Sequence, residues 1–237
     1  MRDPRTTCRS GGSLLSGFDL FESLSEDALS AIERACTSRR YAREEQILER
    51  DSRSRDVLFI ISGRAKVLNY SVSGREIVLD DLLPGSSFGE IGAIDDQPRL
   101  AEVVATDDML VTVIPQLIFI DALKSHPQVA VSLMRRLART IRAADERIMD
   151  LSTLAAHERV YAEVLRRAYA RMIGDNRAEI VPIPLHSEIA GKTSTTRETV
   201  ARAISELTRR GIVSRAKTAL CVNDVYALRQ MVARVRA

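Results

Sequence analysis

The sequence predicts an α+β fold on three observations: short strand-like segments crowded between residues 57 and 114, a long amphipathic helix after Pro127, and two short helices followed by a hairpin in a basic carboxy-terminal third. Strands so short and closely spaced leave no room for crossover helices, which implies an antiparallel barrel or jelly roll rather than a βαβ sheet. With 237 residues, 45% hydrophobic and 28% charged, the chain can bury two modest cores. The expected divisions are a barrel domain at 15–126, a helix and linker at 127–156 and a helical domain at 157–237.

Residues 1–16 show no sustained period and read as a loose tail. Residues 25–40 read as a short helix, with Ser25 as its cap and Leu24 packing on Leu29. In the barrel, 57–61 is apolar and Ser62-Gly63 is a turn. Ala65, Val67 and Asn69 then alternate with Lys66, Leu68 and Tyr70, and Ser73-Gly74 and Pro84-Gly85 separate further strands at 77–79, 103–105 and 109–114. Pro115 suits the first turn of the next helix. Beyond Pro127, Met134, Leu137, Ile141, Ala144, Ile148, Leu151 and Ala155 recur at intervals of three and four, the pattern of a seam between two copies of one helix. Packing of the same stripe on the chain's own barrel is the alternative. Small Ala144 at its centre would let two helices approach closely.

Cys8, Cys36 and Cys221 are too few and too scattered for a disulfide scaffold or a thiolate cluster, so a reducing cytoplasm is the expected compartment. Apolar stretches are too short to span a bilayer, and no secretory signal core precedes the first helix. The formal charge is +3, unevenly placed: residues 157–237 hold fifteen Lys or Arg against eight Asp or Glu. A basic end beside an acidic remainder suits contact with phosphates by that end alone.

Within that end, a helix spans 157–172 and Gly174-Asp175-Asn176 turns the chain. A helix at 187–192 and a second at 196–210 then form a helix-turn-helix, and residues 212–214 and 220–222 form a wing. Thr195 is expected to cap the second helix, with Glu198 three residues on. Val200, Ala203, Ile204 and Leu207 would face inward, leaving Arg197, Glu198 and Arg202 to address base edges in a major groove. Ser194, Thr195, Thr196 and Thr199 would position phosphates beside free backbone N–H groups.

The order of parts, with Phe88-Gly89-Glu90-Ile91-Gly92 and Arg99, and with the run Thr196-Arg197-Glu198-Thr199-Val200-Ala201-Arg202, resembles the Crp/Fnr family of bacterial transcription regulators over nearly the whole chain. The resemblance implies a cyclic-nucleotide-binding-type jelly roll, a dimerisation helix and a winged helix-turn-helix. It places an effector, cyclic AMP or cyclic GMP, against Gly89, Glu90, Ile91, Arg99 and Leu100, and against Ala144 and Asp145 of the long helix. Glu90 would accept from the ribose 2′-hydroxyl and Arg99 would pair with the cyclic phosphate. Leu100 stands where the family's cyclic AMP receptors carry a hydroxyl, and Ala144 and Asp145 replace its adenine-contacting Thr and Ser. Leu185 replaces the usual capping Thr of the first DNA-binding helix, for which Ser187 is the expected substitute. Ser194 replaces the turn glycine and is expected to keep a negative φ.

The implied partners are a palindromic double-stranded DNA site, a second copy of the chain and RNA polymerase. With only Cys8 before Cys36, and His126, His157 and His186 far apart, no iron–sulfur cluster, haem or metal site is expected. Two further readings are a regulator whose barrel senses another anion or none, and a cyclic-nucleotide-processing enzyme. The enzyme ranks last because no nucleophile with a base or metal is visible.

Overall fold

The computed structural model describes residues 14–72, 74 and 76–236. Cys8, Ser73 and most of the expected amino-terminal tail lie outside them. The chain divides into two compact units, Met1–Thr140 and Ile141–Ala237.

In the first unit a single 3-10 turn (Asp19–Phe21) and helix α1 (Glu26–Glu33) precede eight strands: β1 (Thr37–Tyr41), β2 (Gln46–Leu48), β3 (Val57–Ser62), β4 (Ala65–Tyr70), β5 (Glu76–Leu82), β6 (Ser87–Phe88), β7 (Glu102–Ala105) and β8 (Met109–Ile114). Helix α2 (Glu90–Asp95) interrupts them between β6 and β7. Two antiparallel four-stranded sheets, ordered β1-β8-β3-β6 and β2-β7-β4-β5, make the jelly roll. Period-two alternation sends Leu58, Ile60, Val111 and Val113 of one sheet toward Ala65, Val103 and Ala105 of the other. The opposite face of the first sheet, carrying Val57, Phe59 and Ile114, is sealed by Phe18, Phe21, Leu29, Phe119, Val129 and Leu133. Phe59 is fully buried, with the Phe18 and Phe21 ring centroids 5.0 and 5.2 Å away. Burying such a side chain contributes about 2–3 kcal/mol.

The expected helix over 25–40 is shorter. Ser25 caps it by accepting the Ala28 N–H at 3.3 Å, but it stops at Glu33, and residues 37–41 pair with β8 from Thr37↔Val113 to Tyr41↔Met109. The ladder overrides local pattern here, since the residues Thr-Ser-Arg-Arg-Tyr carry no apolar alternation. Pro115 lies one residue before α3 (Gln116–Ser125) as its N-cap rather than inside the first turn.

Helix α4 (Pro127–Thr153) runs 27 residues without a break. Its stripe divides: Leu137 packs on the core formed with the barrel, whereas Met134, Ile141, Ile148 and Leu151 are exposed, as is Ala144. Ala155 is not on α4. With φ −64° and ψ 161° it is the N-cap of α5 (Ala156–Tyr169), and Glu158 accepts its backbone N–H at 2.7 Å.

The second unit continues with β9 (Ala178–Ile180), α6 (His186–Thr193), α7 (Arg197–Arg209), β10 (Val213–Arg215), β11 (Leu220–Val222) and α8 (Val225–Arg236). The expected hairpin gains β9, giving the order β10-β11-β9. Val160 and Val164 of α5, Ile189 of α6, Val200, Ala203 and Leu207 of α7 and Leu228 of α8 share one core. The carboxy-terminal half of α5 is tied to the end of α4 by ions: Arg166 bonds Asp150 at 2.9 Å and also Glu163, which accepts from Arg167 at 2.8 Å. Both carboxylates are buried, so removing either partner would strand a charge.

Candidate effector cassette and nucleic-acid interface

Between β6 and α2 the chain must turn tightly, and Gly89 does so at φ +88°. A Cβ there would come within 2.8 Å of Arg99 Nη1 and 2.9 Å of the Asp56 carbonyl oxygen, so only glycine fits. Arg99 is 3% exposed and is held by three acceptors: Nη1 donates to Gly89 O at 2.6 Å, Nη2 to Asp56 O at 2.6 Å, and Nε to Ser54 Oγ at 3.0 Å. Burial pulls its pKa below the ordinary guanidinium value, while Asp56 and Glu90 favour its charge and Arg55 opposes it. Glu90, the first residue of α2, has an Oε2 that is buried without a hydrogen-bond partner. Such an atom costs about 1–3 kcal/mol unless something donates to it.

These residues fit a nucleotide. Glu90 offers a free acceptor for a sugar hydroxyl, and the three bonds of Arg99 leave two of a guanidinium's five N–H groups. Gly89, Glu90, Ile91 and Arg99 are thus gathered in one place, with exposed Leu100 at its edge. Ala144 and Asp145 belong to the second unit and are exposed on α4. The partners of Arg99, Ser54 and Asp56, carried no motif. Nor did Arg136 of α4, which donates to the hydroxyl and the carbonyl of buried Ser87, two residues before Gly89.

In the second unit Leu185 is the N-cap of α6, and Glu188 substitutes for a capping hydroxyl by accepting the Leu185 N–H at 3.1 Å. Ser187 does not cap. At the other end Ser194 sits at φ +50°, ψ +48°, contrary to the expected negative φ. The chain reverses there because the Thr195 N–H returns to Ala190 O at 3.0 Å. Thr196, not Thr195, caps α7: its Oγ1 accepts the Thr199 N–H at 3.2 Å, while Thr195 is buried beneath the turn. Arg159 of α5, another residue without a motif, fastens this turn by donating to Thr193 O at 2.8 Å, Ser194 O at 3.2 Å and Leu154 O at 3.0 Å.

Helix α7 buries Val200, Ala203 and Leu207 and exposes Arg197, Glu198 and Arg202, with Arg215 and Lys217 exposed on the wing. The Glu198 carboxyl is held below its usual range by its own backbone N–H, then by the Thr196 hydroxyl and the nearby arginines, so it stays an acceptor at neutral pH. Short helix, left-handed turn, exposed basic helix and basic wing form a winged helix-turn-helix.

Two family models match the chain: a cyclic nucleotide-binding domain over residues 38–126 and a Crp-like helix-turn-helix domain over residues 135–231. The chain belongs to the Crp/Fnr family of transcription regulators. This Crp/Fnr regulator is 27% identical to the cyclic AMP receptor protein of Thermus thermophilus, over 84% of the chain and 89% of that relative. It is 24% identical to the CRP-like cAMP-activated global transcriptional regulator of Mycobacterium tuberculosis, over 89% and 95% of the two chains. In fold it is similar to the solved structure of a CooA mutant from Carboxydothermus hydrogenoformans, with a TM-score of 0.78 at 18% identity over 94% of the chain and 97% of that one. The matched relatives are regulators rather than enzymes. Among the described residues, no group of three His, Cys, Asp or Glu side chains could hold a metal ion, and no helix is long and apolar enough to cross a membrane.

Proposed function

We propose that this Crp/Fnr regulator works in the cytoplasm as a homodimer that binds palindromic DNA under the control of cyclic AMP or cyclic GMP in its barrel. The observation that carries the effector reading is the buried, unpartnered Glu90 Oε2 beside Arg99. A ribose 2′-hydroxyl is the donor it lacks, and the two remaining N–H groups of Arg99 suit a phosphate monoanion. The exposed Met134, Ile141, Ile148 and Leu151 of α4 supply the apolar seam for a second copy. Two copies of α7 would then present Arg197, Glu198 and Arg202 to half-sites about one helical turn apart, with Ser194, Thr195, Thr196 and Thr199 ordering the helix start beside the phosphates. RNA polymerase would be met at such a promoter. A nucleotide that favours the DNA-competent dimer must be bound more tightly, by the same factor, when DNA is present.

The test is to titrate cyclic AMP and cyclic GMP separately while following melting temperature, sedimentation and binding to a promoter library. One nucleotide is expected to raise the melting temperature and tighten DNA binding without being consumed. No response to either, with DNA binding intact, would overturn the nucleotide reading. It would support the second reading, a barrel that senses another anion or none. That reading is favoured by the three protein acceptors already on Arg99 and by Leu100, which has no hydroxyl to offer a phosphate.

A further inference from the structure

On β4, Ala65, Val67 and Asn69 share one side by alternation, and Ala65 and Val67 face the packed space between the two sheets. The pairing of β4 with β7 is regular from Ala65↔Ala105 to Leu68↔Glu102, so the alternation holds and Asn69 extends the inward face by one step. It therefore places an amide in a row that is otherwise apolar. Among the described residues, Asn69 Nδ2 reaches the Leu100 carbonyl oxygen, at the long distance of 3.5 Å, while its Oδ1 is buried with no partner. Leu100 follows Arg99, which holds Gly89. Two unpartnered acceptors, Asn69 Oδ1 and Glu90 Oε2, are thus joined through one short path of contacts.

We propose that Asn69 selects the ligand by accepting a hydrogen bond from an N–H on its base, an inference that rests on the cyclic-nucleotide reading above. An acceptor repels phosphate oxygens, so Asn69 does not replace the hydroxyl that Leu100 lacks. Instead it requires a donor, which a purine base supplies through an exocyclic amine or a ring N–H, and Nδ2 can turn from Leu100 to a neighbouring base acceptor. An amide pairs in this two-point manner with a base edge. Leaving such a group unmatched on an inward face lowers stability in the absence of ligand, which is the mark of a residue kept for binding rather than folding.

Calorimetric titration of the full-length protein and its Asn69→Leu variant tests this, using cyclic AMP, cyclic GMP and an analogue of the preferred nucleotide whose base has no N–H donor. Wild type is expected to bind the preferred nucleotide about 5–30-fold more tightly than the variant, the loss of one buried hydrogen bond. The variant is expected to bind the donor-free analogue no more weakly than wild type does. Without ligand it should melt at the same temperature or higher, because it loses an unsatisfied polar group. Asn69→Asp, which keeps the acceptor and the shape, should retain more of the discrimination between nucleotide and analogue than Asn69→Leu. Equal affinity of wild type and Asn69→Leu for the preferred nucleotide would overturn the role of Asn69 and leave the nucleotide reading standing. Absence of nucleotide binding by wild type would overturn both. A lower melting temperature of the ligand-free variant would show that Oδ1 has a structural partner and would likewise overturn the proposal.

Discussion

Arg99 is asked to do two things, because the same guanidinium that suits a phosphate also satisfies the carbonyls of Gly89 and Asp56. Replacing it by alanine strands these acceptors at roughly 1–3 kcal/mol for each that stays dry. Arg99→Ala is therefore expected to lower the melting temperature of the ligand-free protein as well as nucleotide affinity. Loss of affinity with unchanged ligand-free stability would show that the three bonds are not stabilising. Ser194 presents the opposite case, a residue whose side chain works against its backbone. At φ +50° it bears a cost that glycine avoids, so Ser194→Gly should stabilise the second unit by up to about 1 kcal/mol in denaturant titration. The sequence made Glu90 and Arg99 legible because they stand in a compact motif. Ser54, Asp56 and Ser87 were not, since a carbonyl or a lone serine that answers an arginine from a distant segment leaves no pattern in its own neighbourhood. The φ of Ser194 was misjudged for a related reason: the bond from Thr195 to Ala190 and the clasp of Arg159 set it, and neither follows from the identity of a serine.

At the scale of elements, apolar runs bounded by turn residues and helices with long periods were readable, while four strands without such a run were not. Strands β1, β2, β6 and β9 owe their existence to a neighbour's ladder, as β1 does to β8. The cap of α7 was readable to within one residue: two adjacent threonines both satisfy the local rule, and burial of Thr195 decides for Thr196. Thr196→Ala is accordingly expected to cost about 1 kcal/mol in unfolding free energy, and Thr195→Ala to act through packing rather than capping. For α4, the exposed part of the stripe makes a distinct forecast. Ile141→Asp should shift sedimentation toward monomer and weaken DNA binding at the same protein concentration, whereas a variant that stays dimeric would remove α4 from the interface.

Across the molecule, the two units have separate cores, and acid should disturb them through different groups. In the second unit the Tyr161 hydroxyl donates to Glu206 at 2.7 Å, holding that carboxyl below its usual range, with Arg210 assisting. A depressed carboxyl pKa stabilises the fold above its unfolded value, about 4.3, and the contribution fades as pH falls through the lower folded value. Tyr161→Phe should therefore lose stability at neutral pH and show a shallower acid limb in pH-dependent melting; an unchanged limb would refute the assignment. The division into a barrel and a basic helical end was visible in the charge distribution and the change of period, but the ties within each unit were not. One such tie has a mechanical consequence. Since Arg159 grips Leu154, just past the end of α4, together with Thr193 and Ser194, a flat, stiff group spans from the long rod to the elbow that aims α7. A strut of that kind transmits a push with little slack, and lysine, with one nitrogen for three sockets, would leave the joint rattling.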